Sequence, residues 1–71
     1  MSKRQVRINA KELIQKAPSY INHNSTLVLK NGIVFLGQLK AINQHELQFE
    51  DGTKHRLQFS IQSVQEIIID F

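Results

Sequence analysis

Apolar residues near the start of the chain recur at helical spacing. Asn9 is of a residue type that caps helices, and Glu12, three residues later, completes the pattern of a capping box. Pro18 disfavours helical conformation in the residue before it. The pattern therefore predicts one helix over about residues 9–17. The apolar positions of its buried face are Leu13, Ile14 and Ala17.

From residue 26 onward, apolar and polar residues alternate with the period of β-strands, and turn residues separate the runs. The predicted strands span about residues 26–30, 33–43, 45–50, 53–60 and 65–70. Gly37 interrupts the second strand, as expected where a strand bends sharply. The sequence therefore predicts a mainly β fold, in which an N-terminal α-helix precedes a strongly bent, five-stranded antiparallel barrel of the SH3-like type.

Two turns set the expected hairpin registers. Asn31-Gly32 predicts a two-residue type I′ turn, in which both residues have positive φ. For the next hairpin we prefer a three-residue loop over residues 50–52 with Gly52 left-handed, because a two-residue loop would place Lys54 opposite Phe49. The residues that the first register places together on a second apolar face are Val28, Ile33 and Phe35.

The last predicted strand contains three consecutive isoleucines, which cannot all face one core. Left at an edge, such a strand invites another chain to pair with it. A chain of 71 residues without cysteine also has a small core and no disulfides, so self-association is the expected source of added stability. We therefore predict a subunit interface that repeats head to tail and closes into a ring. Its residues are Ile67, Ile68 and Ile69.

The formal charge of +3 comes from nine Lys and Arg against six Asp and Glu. Lys3, Arg4 and Arg7 account for the excess, since the first seven residues contain no acid. We expect residues 1–8 to form a flexible basic tail that suits a polyanion, ahead of a single domain over residues 9–71. The alternative is a solvated terminus that only aids solubility.

Several classes of protein are not supported by the sequence. No apolar run approaches the roughly 20 residues of a membrane span, and no apolar stretch follows the basic start as in a signal peptide. The three histidines are too scattered for a local metal motif, and no catalytic arrangement or phosphate-cradling loop is present. We expect a cytoplasmic protein that is not an enzyme and that holds neither metal nor cofactor.

A resemblance to a known family covers residues 26–44 well and continues more loosely to residue 69. Its motifs are Asn31-Gly32-Ile33, Gly37-Gln38-Leu39 and Ile42-Asn43-Gln44. This series resembles the first motif of the Sm-like (LSm) family in its bacterial form, the RNA chaperone Hfq. The resemblance implies a ring of six or seven identical subunits that binds single-stranded RNA and acts as an RNA chaperone in post-transcriptional regulation.

The resemblance also implies two RNA-binding faces. On the helix-side face, Gln44 matches a family glutamine and His45 stands in the place of an aromatic residue. The family's Tyr-Lys-His stretch is replaced by position with Ser60, Ile61 and Gln62. The opposite face would use the first hairpin, through Val28, Asn31, Gly32, Ile33 and Phe35. The basic residues expected to attract phosphates are Lys3, Arg4, Arg7, Lys11, Lys16 and Lys40.

Two other functions fit the same fold. An SH3-like protein-interaction module would use the apolar hairpin face for a peptide or helix, and the missing Tyr-Lys-His stretch favours it. A purely structural oligomer would bury all its apolar faces in assembly. Neither of these alternatives requires nucleic acid.

Overall fold

The computed structural model describes residues 5–70, which form one antiparallel sheet and one short α-helix. The mainly β character predicted from the alternating pattern is confirmed. The elements in chain order are β1 (Gln5–Asn9), α1 (Leu13–Lys16), a 3₁₀ helix (Ala17–Tyr20), β2 (Asn24–Leu29), β3 (Val34–Ile42), β4 (Glu46–Asp51), β5 (Arg56–Ser60), a second 3₁₀ helix (Ile61–Ser63) and β6 (Val64–Asp70).

The six strands lie in the order β1-β6-β2-β3-β4-β5. All five predicted strands are present, and β1 is a sixth that the sequence analysis missed. The expectation of a flexible tail over residues 1–8 is wrong from Gln5 onward, because all five residues of β1 pair with β6. Val6 and Ile8 alternate with polar residues, and Ile8 is fully buried. Burial of these side chains explains why the segment is a strand.

The strand with three isoleucines is not at an edge of the sheet. Ile67 pairs with Ile8 of β1 on one side and with Leu27 of β2 on the other. The prediction that Ile67, Ile68 and Ile69 pair with another chain is therefore wrong for strand pairing, since β1 of the same chain occupies that edge. The isoleucines do divide between two faces as expected: Ile67 and Ile69 are fully buried, whereas Ile68 lies half-buried on the other face.

The helical segment is shorter than predicted. The Oδ1 atom of Asn9 accepts hydrogen bonds from the backbone N–H groups of Lys11 (3.0 Å) and Glu12 (3.1 Å), the bonds that a capping residue at position 9 would make. The N-cap of α1 is Glu12, so the predicted N-cap at Asn9 is wrong. Asn9 belongs to β1, and α1 begins only at Leu13. The Glu12 carboxylate forms an ion pair with Lys16 one turn later instead of reaching back to Asn9.

The end of α1 at Lys16 agrees with the expected effect of Pro18, which lies in the 3₁₀ helix that continues the chain. Leu13 and Ala17 are fully buried in the core, as predicted. Ile14 was expected on the same face but is 42% exposed. With a single turn of α-helix present, only part of the predicted helix face reaches the sheet.

The first hairpin has a different register from the predicted one. Val28 pairs with Val34, so the loop has three residues, 30–32, and only Gly32 has a positive φ, of 90°. A register change of one residue moves every side chain of a strand to the other face. Phe35 therefore pairs with Leu27 on the core side, where its ring lies 5.1 Å from that of Phe59.

The second hairpin also differs from its prediction. Glu50 pairs with Arg56 and Phe49 with Leu57, which leaves residues 52–54 in the loop. The left-handed residue is Lys54 (φ 67°) and not Gly52. The predicted loop over residues 50–52 is therefore wrong by two positions, although its length of three residues is correct.

Gly37 of β3 pairs with Asp51 of β4 and lies close to the β4 backbone. A Cβ atom at this position would lie 1.9 Å from the Glu50 carbonyl oxygen and 2.8 Å from the Asp51 Cα. No side chain fits in that space, so glycine is required here for close backbone approach. The sharp bend expected at Gly37 stays a prediction. A register shift between Leu39 and Ala41 adds a bulge further along β3.

The core lies on one face of the sheet, under α1. Its fully buried side chains are contributed by β1, α1, the first 3₁₀ helix, β2, β3, β4 and β6; they are Ile8, Leu13, Ala17, Leu27, Leu39, Leu47, Phe49, Val64, Ile67 and Ile69. In residues 5–70 every buried side-chain nitrogen and oxygen atom has a hydrogen-bond partner. The sheet order is open, so closure into a five-stranded barrel is not established by the strand pairing.

Candidate nucleic-acid interface

The turn between β3 and β4 is held by the side chain of Asn43. Its Oδ1 accepts hydrogen bonds from the backbone N–H groups of His45 (2.8 Å) and Glu46 (2.9 Å). The Asn43 backbone N–H in turn donates to the Glu46 carbonyl oxygen (2.9 Å). Gln44 and His45 stand at the tip of this turn with exposed side chains. A local hydrogen-bond network therefore fixes the backbone beneath both side chains.

The second 3₁₀ helix lies against this turn. The Ile61 backbone N–H donates to the His45 carbonyl oxygen at 2.9 Å, and Ser60 pairs with Glu46 at the start of β4. The Ser63 hydroxyl donates to the Ser60 carbonyl oxygen (2.8 Å), which closes the 3₁₀ turn. The structure thus brings together two segments that are 15 residues apart in sequence.

We call this group the turn surface. Its members come from the β3–β4 turn and from the junction of β5 and β6: Gln44, His45, Ser60, Ile61 and Gln62. Four of the side chains are exposed and Ile61 is half-buried. The amides of Gln44 and Gln62 both donate and accept hydrogen bonds, and the His45 ring offers a flat, solvent-facing surface. Such a set can hydrogen-bond to the edges of unpaired bases and stack on their faces.

Lys30 is a basic residue that the sequence analysis did not assign to this region. Its backbone N–H donates to the Ser63 carbonyl oxygen at 2.9 Å, which places the first hairpin loop beside the 3₁₀ turn. The Lys30 side chain is exposed, and within residues 5–70 no carboxylate lies close enough to form an ion pair with it. A lysine next to an Asn-Gly turn is common, so the sequence carried no signal for this proximity.

The predicted opposite-face site is not brought together. Val28 pairs with Val34 on the outer side of the sheet, whereas Phe35 lies on the core side against Phe59. Asn31 is occupied in its own loop, where its Oδ1 accepts a hydrogen bond from the Ile33 N–H at 3.0 Å. The expected apolar platform depended on the type I′ register and is lost with it.

Gly32 and Ile33, the remaining residues of that predicted site, complete the hairpin loop. Gly32 supplies the left-handed backbone that the loop needs, and its N–H donates to the Leu29 carbonyl oxygen at 2.9 Å. Ile33 is half exposed at the point where the loop closes. Both residues therefore have a role in the turn itself.

The predicted basic residues are dispersed. Lys3 and Arg4 lie outside the described residues. Arg7 belongs to β1 and faces Glu66 at 3.9 Å, and Lys16 is paired with Glu12. Lys11 is exposed, whereas the Lys40 Nζ donates to Asn22 Oδ1 (3.0 Å) and Gln38 Oε1 (3.1 Å). The described cations therefore do not form one continuous patch.

A third polar cluster lies at the loop between β4 and β5. The Asp51 Oδ1 accepts hydrogen bonds from the Thr53 hydroxyl (2.7 Å), the Thr53 N–H (2.9 Å) and the His55 N–H (3.0 Å). These bonds, above all the one from the Thr53 hydroxyl, hold the pKa of the Asp51 carboxyl below its ordinary value. This cluster, which fixes the loop geometry, was not predicted from the sequence.

In residues 5–70 no group of three or more His, Cys, Asp or Glu side chains is arranged to hold a metal ion. No helix in the same range is long and apolar enough to cross a membrane. Comparison of the chain with protein-family models, curated proteins and solved structures gives no match.

Proposed function

We propose that this chain is a divergent Sm-like protein that binds single-stranded RNA at the turn surface. The observation that supports this most is the hydrogen bond between the Ile61 N–H and the His45 carbonyl oxygen. It joins the two segments to which the family resemblance assigns the helix-side RNA site. Both segments also present exposed side chains suited to base recognition.

In this proposal a base stacks on the His45 ring while the Gln44 and Gln62 amides hydrogen-bond to base edges. Lys30, beside the same 3₁₀ turn, would contact a phosphate. Single-stranded RNA suits such a surface because its unstacked bases expose both faces and edges, which a duplex hides. Base preference would come from the amides, since stacking accepts every base.

The curvature of the sheet supports the barrel that the family fold implies. β5 is the last strand in the sheet order and β6 the second, yet only the three residues of a 3₁₀ helix connect them. The sheet must therefore curve until its two sides approach. We propose that this curvature forms a strongly bent barrel of the Sm-like type.

Assembly into a ring of six or seven subunits is part of the proposal, with a different contact from the one predicted. The edges of β6 are taken by β1 and β2, so copies would join through β1 and β5, the terminal strands of the sheet order. The five residues of β1 match the five of β5 in length. Native mass in solution would show six or seven times the 8.2 kDa of one chain.

RNA binding can be tested by fluorescence anisotropy with labelled oligouridine and oligoadenosine at low salt. We expect the double variant Gln44→Ala, His45→Ala to bind roughly tenfold more weakly or worse, because one stacked base is worth about 1–3 kcal/mol and about 1.4 kcal/mol is tenfold in affinity. The control is Gln15→Ala, Gln65→Ala, which removes two exposed amides outside the turn surface.

The outcomes separate the site from the function. Unchanged affinity in the Gln44, His45 variant would show that RNA binds elsewhere. No binding by the unaltered chain would contradict the RNA proposal and favour the protein-interaction alternative. Equal loss in the Gln15, Gln65 control would point to a general effect on the fold.

The phosphate contact of Lys30 has its own measurement. For single strands, log K falls with log salt by roughly 0.7 for each phosphate that the protein neutralises. Lys30→Gln should therefore reduce the slope by about that amount. Lys54→Gln is the matched control, since Lys54 is also exposed but lies in the loop at the opposite end of β4.

A further inference from the structure

Four side chains in residues 5–70 form the same local turn. In each, the side-chain Oδ1 accepts a hydrogen bond from the backbone N–H group two residues later, which is the pattern of an Asx turn. The four residues are Asn9, Asn31, Asn43 and Asp51. The ring that this hydrogen bond closes contains the side-chain carbon Cγ and the backbone nitrogen of the next residue. Each turn therefore keeps an electrophilic carbon close to a backbone nitrogen.

The residue that follows distinguishes the turns chemically. Of the five asparagines in the chain, Asn31 alone precedes a glycine. Glycine has no Cβ, so the nitrogen of Gly32 meets the least steric hindrance when it approaches a carbonyl carbon. A Cβ atom at Gly32 would meet no atom within 4 Å, so this peptide bond is also open to water. Asn9 and Asn43, by contrast, precede residues that carry side chains.

Asp51 also precedes a glycine, but its carboxylate resists attack. The Thr53 hydroxyl and then the His55 N–H hold the pKa of this carboxyl below its ordinary value, so it is ionised at neutral pH. An anion is a poor electrophile, and the loss of an oxygen from it is unfavourable. The carboxamide of Asn31 is uncharged, and its nitrogen can leave as ammonia. The turn at Asn31 therefore joins a reactive carbonyl carbon to an unhindered nitrogen, which the other three turns do not.

We propose that Asn31 is a site of spontaneous deamidation, at which the Gly32 nitrogen displaces the side-chain amide. The Gly32 nitrogen gives its proton to hydroxide and forms a bond to the Asn31 Cγ. The bond between Cγ and Nδ2 breaks, and the released nitrogen takes a proton from water and leaves as ammonia. A five-membered succinimide ring remains in the chain.

One molecule of water opens the succinimide at either of its two carbonyl carbons. If the bond between Cγ and the Gly32 nitrogen breaks, the original backbone returns and position 31 becomes aspartate. If the bond between the backbone carbonyl carbon of Asn31 and the Gly32 nitrogen breaks, the chain runs through Cβ and Cγ and position 31 becomes isoaspartate. The whole reaction consumes one water and releases one ammonia, and it needs neither oxidant nor reductant.

The closed loop restrains this reaction. The Gly32 N–H donates to the Leu29 carbonyl oxygen at 2.9 Å, so both the proton and the orientation of the nitrogen are held by a backbone hydrogen bond. That bond must break before the nitrogen can lose its proton and turn towards the Asn31 Cγ. Asn31 therefore converts from an open state of the loop, at a rate set by the population of that state.

Conversion would alter the neighbourhood of the turn surface. Either product places a carboxylate beside Lys30, and isoaspartate also adds one carbon to the backbone of a three-residue loop. The bond from the Leu29 N–H to the Ile33 carbonyl oxygen and the bond from the Lys30 N–H to Ser63 (both 2.9 Å) depend on the length of that loop. We expect the modified chain to bind single-stranded RNA more weakly. This expectation rests on the proposed function, whereas the modification itself does not.

The variant Asn31→Asp tests the effect on RNA, because it introduces the carboxylate without the longer backbone. It should bind labelled oligouridine more weakly than the unaltered chain at low salt, by a factor that shrinks as the salt concentration rises. Gln15→Glu is the matched control, since it adds an acid on α1, outside the turn surface. Equal affinity of Asn31→Asp and the unaltered chain would contradict this effect. No RNA binding by either would contradict the proposed function and leave the modification standing.

The modification is tested by peptide mapping with mass spectrometry after incubation at mildly alkaline pH, using fragmentation that distinguishes aspartate from isoaspartate. In guanidinium chloride, conversion at Asn31 should be complete while Asn9 and Asn43 remain largely unconverted. Both aspartate and isoaspartate should form. In the folded chain the rate at Asn31 should be lower by about fivefold or more, because one backbone hydrogen bond has to break.

The variant Ala10→Gly is the matched control, because it places a glycine after the Asx turn of Asn9. In guanidinium chloride it should bring the conversion of Asn9 close to that of Asn31. In the folded chain Asn9 should stay largely unconverted, since the N–H at position 10 donates to the Gln65 carbonyl oxygen (3.0 Å) at the end of the β1–β6 ladder. Opening that bond requires β1 to separate from β6.

Three results would overturn the proposal. Even conversion of all asparagines in the denatured chain would contradict the assignment to Asn31. Equal rates at Asn31 in the folded and denatured chains would contradict restraint by the Gly32 hydrogen bond. Formation of aspartate without isoaspartate would exclude the succinimide.

Discussion

The two hairpin loops have the same backbone built from different residues. In each, the residue before the loop donates its N–H to the carbonyl oxygen of the residue after the loop, from Leu29 to Ile33 (2.9 Å) and from Asp51 to His55 (3.0 Å). The third loop residue is left-handed in both, Gly32 with φ 90° and Lys54 with φ 67°. Glycine adopts that region freely, whereas any other L-residue adopts it at a cost.

Side-chain hydrogen bonds explain why the second loop tolerates a lysine there. Asn31 accepts one backbone N–H in the first loop. Asp51 accepts two backbone N–H groups and the Thr53 hydroxyl in the second. The comparison indicates that a loop held by side-chain hydrogen bonds can contain a left-handed residue other than glycine. It also indicates that a glycine in a turn is not always the left-handed residue.

The largest expected effect concerns the contact between β3 and the end of β4 that precedes the second hairpin loop, and not the loop itself. Gly37→Ala would place a methyl group 1.9 Å from the Glu50 carbonyl oxygen, so β3 and β4 must separate. We expect a loss of about 3 kcal/mol or more in the free energy of unfolding, at the upper end of overpacking effects. Urea denaturation measures it.

Gly52→Ala is the control for that change, because a Cβ atom there meets no atom within 4 Å and the backbone is not left-handed. Its effect should stay within roughly 0.5 kcal/mol. Amide exchange adds a positional readout: in Gly37→Ala the β3–β4 ladder should lose protection before the β2–β6 ladder does. Comparable stability of the two variants would contradict the close-approach argument.

Gly32→Ala breaks the first loop at its left-handed residue. A Cβ atom at Gly32 has open space around it, so the penalty comes from backbone conformation alone. We expect a destabilisation of about 1–2 kcal/mol, measured by urea denaturation. Gly32→Asn should recover part of it, since asparagine visits the left-handed region more readily than alanine. An unchanged urea midpoint for Gly32→Ala would show that the first loop, like the second, tolerates a residue other than glycine at its left-handed position.

Lys54→Gly is the reciprocal change and should stabilise the protein. Glycine relieves the left-handed strain at φ 67° but adds backbone entropy to the unfolded chain. The net gain should be about 0.5–1 kcal/mol. Lys54→Ala controls for loss of the charge and should show no such gain. A destabilised Lys54→Gly variant would mean that the loop carries no strain at that residue.

The sequence predicted the types of the elements well but predicted the registers of the hairpins wrongly. Alternation of apolar and polar residues found β2 to β6, because each of these strands buries one face in the core. The registers failed in both hairpins because they depended on which loop residue is left-handed. Gly32 is left-handed as predicted, but its loop has three residues and not two. Gly52 is not left-handed, so the loop predicted from its position was wrong.

Different physical reasons explain why β1 was not predicted and why the candidate site was predicted only in part. β1 carries only two apolar residues between charged and polar ones, so its basic character outweighed the alternation of Val6 and Ile8. Gln44 and His45 were found from a motif, and the family resemblance assigned Ile61 to the same face as both; the hydrogen bond from the Ile61 N–H to the His45 carbonyl oxygen joins the two segments. The proximity of Lys30 depends on one backbone hydrogen bond to Ser63, which no local pattern encodes.

The smallest expected effect is the loss of stability in acid, which should occur in the second loop and not in the first. The pKa of Asp51 is lowered in the folded chain, mainly by the Thr53 hydroxyl and then by the His55 N–H. A lowered folded pKa means that the carboxylate stabilises the fold above its unfolded pKa of about 3.9. That contribution is lost as the pH falls through the lower, folded value.

The second loop should therefore weaken in acid while the first, whose acceptor is the uncharged Asn31, does not. Asp51→Asn should remove the part of the pH dependence that lies below about pH 4 and leave stability at pH 7 lower than that of the unaltered chain. Because Asp51 is at the surface, solvent screens the effect and it should be smaller than those of the backbone changes. The measurement is urea denaturation from pH 7 down to acid, with NMR titration of the Thr53 and His55 amides. If those amide shifts follow a pKa at or above the ordinary aspartate value, the carboxylate does not stabilise the loop. The left-handed backbone of Lys54 would then need another explanation.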